Sequence, residues 1–225
     1  MKKIFALLVL SLLLIFNNVS ANEKKVFYAG FSFSGNYIDK STGIKFTNYL
    51  INEKNENGLD IISDSLLRSI KKIQAKNFNI DYNFADLEKG LEESVVMSVV
   101  LDHENFFSEY EPISKTYLNN IQMFFQVIFY NFKTRKLIAS IPYDVSVPFF
   151  TKNELTEKEI INHIRNFYTK GLKSIDSEQT INAFTQVEKI LNNFELKEKY
   201  KLRIGVTSVI FKDKSFFAIP NDYKK

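Results

Sequence analysis

Three short stretches of the sequence hold side chains that could do chemistry. Asp102-His103-Glu104 is the densest group of acid–base or metal-ligating residues. Neighbours in an extended strand point to opposite faces, so Asp102 and Glu104 would share one face and His103 the other. That arrangement splits the group. A zinc site on a helix would need His-Glu-x-x-His, and position 107 is Phe. The expectation is a polar strand end facing solvent, and the rival reading is a secreted hydrolase centred on His103. The second histidine, His163, lies between Ile160 and Phe167 at the edge of an apolar stripe. A half-buried structural role is expected there, and nothing in the sequence requires it to meet His103.

The second stretch is Gly30-Phe31-Ser32-Phe33-Ser34-Gly35. A phosphate loop needs Lys-Ser/Thr after its last Gly, and Asn36-Tyr37 follows. A nucleophile elbow needs Gly-x-Ser-x-Gly, and position 34 is Ser. The segment therefore reads as a strand ending in a turn at Gly35-Asn36. The third group is the carboxylate pairs Glu92-Glu93 and Glu109/Glu111, which could serve acid–base work on a glycan only at a set spacing. They are expected to be surface acids. No metal or cofactor site is assigned.

Aromatic residues are the other candidates. The chain has 22 Phe and 11 Tyr with no Trp and 3 Met, so most rings must fill the core. Phe106, Phe107, Phe149 and Phe150 border polar or Pro-containing sequence and are the rings to inspect for exposure.

The elements that must position these residues follow from periodicity. Residues 26–35 read as a strand, 39–58 as a short helix or long loop, and 63–75 as an amphipathic helix capped by Ser63 or Asp64. A shorter helix fits 84–93. Val95, Val96, Val99 and Val100 then turn the chain β-rich, toward about Tyr110. Residues 121–132 and 136–147 form the clearest hairpin. Met123, Phe125, Val127 and Phe129 take one face, and Gln122, Phe124, Gln126 and Ile128 the other. The Phe124/Ile128 face carries the glutamines, so it is expected to be partly open. The 178–193 helix and the C-terminal strands would cover it, or it would be a contact surface. Pro142 favours an edge strand or a bulge.

Thr156 and Glu159 form a capping box for a helix through Leu172, with Gly171 near its end. A further helix is expected over 178–193, then strands at 202–211 and 216–219 and a loose Lys224-Lys225 tail. The expected fold is α+β, a mainly antiparallel sheet of meander and hairpins with amphipathic helices packed on it. The element order over residues 26–172 resembles the small periplasmic α/β modules of TolB N-terminal domains and curli-secretion-type proteins. That resemblance implies a fold alone and transfers no residue.

Residues 1–21 read as a cleaved secretory signal: Lys2 and Lys3, an apolar run over 4–16 broken only by Ser11, then Val19-Ser20-Ala21. Thirteen helical residues span about 20 Å, short of the ~30 Å hydrocarbon core. No Cys follows the run, so no lipid anchor is expected, and no later stretch is long enough to span a membrane. The expected layout is a signal peptide at 1–21 and one α+β domain over 22–225, with a core at about 26–172 and a helix-plus-hairpin extension at about 176–220. The 20 Asn of the chain after residue 21 form no Asn-x-Ser/Thr sequon, which with the Lys, Asn, Ile and Phe bias suggests a bacterial source.

Composition narrows function. At 45% hydrophobic and 25% charged, the 225-residue chain is no disordered polymer, and without Cys it has no thiol chemistry or disulfide scaffold. Setting Lys2 and Lys3 aside leaves 28 Lys and Arg against 26 Asp and Glu, with only four Arg, at 68, 135, 165 and 203. That is no nucleic-acid footprint. The resulting expectation is a soluble bacterial protein of the periplasm or outside the cell. It would be a non-enzymatic accessory or assembly protein acting on a cell-envelope protein, or on itself, through a sheet edge or an aromatic patch. A periplasmic small-ligand binder is the third reading.

Overall fold

A computed structural model describes residues 24–34, 43–83, 94–176 and 179–197. The leader, Gly35-Asn36, the Glu92-Glu93 pair, the helix expected at 84–93 and the strands expected beyond 202 lie outside the described residues.

The main sheet has five strands, β1 (Lys24–Phe33), β2 (Phe78–Asp81), β3 (Val95–Glu111), β4 (Thr116–Asn131) and β5 (Leu137–Thr151), in the order β2-β1-β3-β4-β5. β3, β4 and β5 form the expected antiparallel meander. β1, however, pairs parallel with both β2 and β3. The sheet is therefore mixed, which corrects the mainly antiparallel expectation. The physical reason is β2. Phe78 and Ile80 alternate over only four residues, too short a signal to read as a strand. The helix α1 (Ile61–Ile70) lies between β1 and β2 and returns the chain in the same direction, as a crossover does.

Three helices occur among the described residues: α1, α2 (Glu157–Thr169) and α3 (Thr185–Asn193), with a single 3-10 turn at Thr47–Tyr49. α1 starts two residues earlier than expected, because the Asp60 side chain accepts the Ser63 N–H at 2.7 Å and caps it. α2 begins with the expected Thr156/Glu159 capping box. Past its end Gly171 sits at φ 79°, and a side chain there would lie 2.5 Å from Thr180. The helix expected over 178–193 is shorter. Thr180–Ile181 form β7, paired with β6 (Leu172–Lys173), and the helix starts at Thr185.

Helices and meander share one core. Ile62, Leu66 and Ile70 from α1, Ile164 and Phe167 from α2, and Val187 and Leu191 from α3 pack with Met123, Phe125, Val127 and Phe129. The expected inner face of β4 is thus the core face. α3 packs on that face, through Leu191 and the preceding Phe184, and does not cover the Phe124/Ile128 side. β3 changes character along its length. Residues 96–101 are buried on both faces, as in a central strand, whereas 107–110 are exposed. On the outer face Phe27 and Val96 form a second small cluster with Ala29 and Tyr130.

β5 is an edge strand, as Pro142 implied. The Ile175 N–H donates to the Pro148 carbonyl at 3.0 Å, so Pro148 directs its backbone away from β4. The β4–β5 register runs unbroken from Thr151 to Ala139. Pro142, six residues from Pro148, therefore faces the same way. Neither proline costs a ladder bond, and both remove donors that an incoming strand would need.

Candidate functional site

Asp102, His103 and Glu104 are divided by a β-bulge. Leu101 pairs with Phe125 and His103 with Phe124, so Asp102 is the extra residue. The bulge inverts the alternation expected from the sequence. Glu104, opposite Met123, joins Leu101 on the core face, while His103 lies on the outer face with Phe124. Their rings are 4.8 Å apart, edge to face. Asp102 is exposed and accepts the Ser34 hydroxyl at 2.6 Å. Asp102 is thus the exposed member of the three, and His103 is half-buried. Glu104 is only 6% exposed, a correction to the polar strand end.

Glu104 finds its partners 57 residues away. Its carboxylate accepts the backbone N–H of Phe46, the N–H of Thr47 at 2.9 Å and the Thr47 hydroxyl at 2.5 Å. The Thr47 hydroxyl has one hydrogen and gives it to Glu104. It must therefore accept from the Tyr168 hydroxyl, 3.0 Å away. Donation runs one way, from Tyr168 through Thr47 to Glu104. The carboxylate thereby satisfies the orphan N–H groups that open the 3-10 turn. The Glu104 N–H also donates to the Gly43 carbonyl at 2.9 Å, which seats the segment on the kink in β3. A Ser65 hydroxyl bond to the Tyr168 carbonyl ties α1 to α2 beneath the cluster.

Burial pushes the Glu104 carboxyl above its ordinary range, and the bonds from Thr47 and Phe46 hold it back. Tyr168 is pushed well up by burial, then by the Glu104 charge, with Thr47 opposing. Burial also raises Tyr143, whose hydroxyl has no partner among the described residues and whose ring stacks on Phe125 at 5.1 Å. Thr47 and Tyr168 are fully buried and Glu104 is nearly so, which leaves the cluster little surface to offer solvent. Its chemistry is that of a pin joining β3, the 3-10 turn and α2.

The two histidines do not meet. His103 is on the outer face, and His163 stacks on the core-facing Phe149 at 4.7 Å. His163 Nδ1 is buried without a partner among the described residues, and burial lowers its pKa against the pull of Glu159. No group of three or more His, Cys, Asp or Glu able to hold a metal occurs among the described residues. Ser32 shares a hydrogen bond of 3.0 Å with Ser98, which gives it no histidine base. An open groove at the β2 edge, lined by Ile80 and Tyr82, carries the Lys25–Asp81 ion pair.

Period-two alternation splits both Phe pairs. Phe107 and Phe150 are 57% and 50% exposed on the outer face. Phe149 is a buried core residue, and Phe106 is half-buried against the core with its ring 6.3 Å from Phe46. Both therefore leave the set of candidate surface rings. Phe124 and Ile128 are half-buried on the outer face. Register places Glu109, Leu118 and Phe150 in one row across β3, β4 and β5, and Phe107, Asn120 and Pro148 in the next. Further along, His103, Phe124 and Asp144 form another row. No described helix packs on this part of the face. Sequence reasoning missed Thr47 and Tyr168 as partners of Glu104, and Asp144 as a neighbour of Phe124. The cross-strand neighbours could have been read from the hairpin register, whereas nothing local links residues 47, 104 and 168.

Fold and site together define an α+β protein with a sealed polar pin behind a partly open aromatic sheet face. No family model matches the chain, and no curated protein matches it in sequence. Among solved structures it is similar to the hypothetical protein CT253 from Chlamydia trachomatis (TM-score 0.30, 10% identity, 56% of this chain and 73% of that one). It is similar to a neuraminyllactose-binding hemagglutinin homolog from Helicobacter pylori (TM-score 0.32, 13% identity, 67% and 79%). A third is lipoprotein GNA1162 from Neisseria meningitidis (TM-score 0.22, 9% identity, 64% and 96%). Likeness at these scores carries no argument about function. Among the described residues no helix is long and apolar enough to cross a membrane.

Proposed function

We propose that this is an exported bacterial accessory or assembly protein that works by contact with another protein through the outer face of β3, β4 and β5. Residues 1–21 act as a cleaved signal, and residues 22–225 form one α+β domain in the periplasm or outside the cell. The observation that carries the contact reading is the exposure of Phe107 and Phe150 on a face that no described helix covers. Among the described residues the Glu104–Thr47–Tyr168 cluster is almost closed to solvent, which disfavours turnover of a substrate there. Pro142 and Pro148 blunt the β5 edge, so the face is a better contact than the edge.

Photo-crosslinking in the producing cells tests this. Benzoylphenylalanine at position 107 or 150 should give a discrete protein adduct, and the same group at Lys158, exposed on α2, should not. Equal adducts from all three positions would remove the reading. N-terminal sequencing tests export separately: the mature chain should begin at Asn22, and an intact Met1 would defeat it.

A further inference from the structure

Resting on that reading, we infer that the partner presents a cationic segment, Arg or Lys interleaved with apolar residues, to the outer face of β3, β4 and β5. The first support is a charge segregation. These strands are 17, 16 and 15 residues long and contain no Lys or Arg, in a chain that carries 30. Their outer face bears Asp102, Glu109 and Asp144, all exposed. No cation pairs with any of the three among the described residues.

The second support is where those acids lie. Asp144 sits in the row of His103 and Phe124, and Glu109 in the row of Leu118 and Phe150. Asp144 thus directly faces the Phe124 ring, and Glu109, beside Leu118, lies two residues along β3 from Phe107 on the same face. A guanidinium over such a ring gains a cation–π contact and a charge-assisted hydrogen bond from one position. The two rows are six residues apart along β4, about 20 Å. An extended segment with cations about six residues apart would meet both, its apolar side chains lying over Phe107 between them. A second copy would set the same acids against one another, and an anionic lipid surface or nucleic acid would be repelled.

The test uses the full chain, exported through its own leader, and a labelled extended nonapeptide with two Arg six residues apart and Leu and Tyr between. A control peptide carries Glu for Arg. Fluorescence anisotropy should show the Arg peptide binding, with affinity falling about tenfold between low salt and about 0.5 M salt. Glu109→Lys with Asp144→Lys should weaken it by at least about tenfold at an unchanged melting temperature. Equal or tighter binding of the Glu peptide, or an unchanged Kd in the charge-reversed variant, would overturn the inference. So would tighter binding to phosphatidylglycerol vesicles than to the peptide, or a crosslinked adduct of twice the chain mass. Charge-blind binding lost in Phe107→Ala would end this inference and leave the contact face standing. Binding of neither peptide would also end it, and crosslinking from Phe107 would then decide the parent reading alone.

Discussion

Phe124 and Phe125 are neighbours in β4 and occupy different worlds. Phe125 is 1% exposed, stacked on Tyr143 and touching Phe184, within the core shared by three helices. Phe124 is half-buried, its ring edge to face with that of His103 and Asp144 beside it across the strand. The same contrast separates Glu104 from Asp102. One carboxylate is sealed among three donors, and the other meets water and Ser34. One side of the meander is sealed in the core, and the other keeps Phe124 half-buried and Phe107 and Phe150 exposed.

The largest test of this contrast is Phe125→Ala, which should cost about 3–5 kcal/mol by emptying a closed site. Phe124→Ala should cost less than about 1 kcal/mol, since water can replace part of its contact. Equal losses in thermal or urea melts would show that both faces are core and would remove the contact face.

Next is the pin. Glu104→Ala would strand the Thr47 hydroxyl and two backbone N–H groups, at about 3 kcal/mol. Glu104→Gln should cost much less, because its oxygen still accepts the N–H groups and its amide donates to Thr47, which then turns to donate to Tyr168. A Gln variant as unstable as Ala would mean the charge, not the bonds, holds the 3-10 turn.

Stability against pH should then sharpen the difference between two buried titrating groups. The Glu104 value is raised by burial, so the fold holds that proton more tightly than the unfolded chain does. Its contribution is present below the ordinary carboxylate value and is lost as pH rises through the raised one. The His163 value is lowered by burial, so its contribution is present above the ordinary histidine value of about 6.5 and is lost as pH falls through the lowered one. Denaturant midpoints followed from pH 8 downward should therefore lose opposite slopes in Glu104→Gln and His163→Asn. Slopes that change in the same direction would refute the assignment.

The smallest expected effect is His103→Ala, within about 0.5–1 kcal/mol, since only the ring contact with Phe124 is lost. Stoichiometric zinc in the purified protein that disappears in this variant would revive the His103-centred hydrolase.

Much of the positioning was legible in the chain. Strict alternation at Met123, Phe125, Val127 and Phe129 identified the core face, because a strand's side-chain period admits only two assignments and the glutamines chose between them. Thr156 and Glu159 announced the start of α2 by bonds made within one turn. Applied to Phe106-Phe107 and Phe149-Phe150, the same period would already have put one ring of each pair inside.

What local sequence determined by itself is therefore whatever is decided within a few residues: caps, alternation, the Pro-bearing edge strand and the segregation of Lys and Arg away from three strands. Tertiary structure alone decided the rest. The parallel placement of β1 depends on a crossover whose second strand is four residues long. The fate of Glu104 depends on one bulged residue, Asp102, which no local preference marks. That single insertion turns a carboxylate inward, where it is tolerable only because Thr47 and Tyr168, distant in sequence, bring donors to meet it.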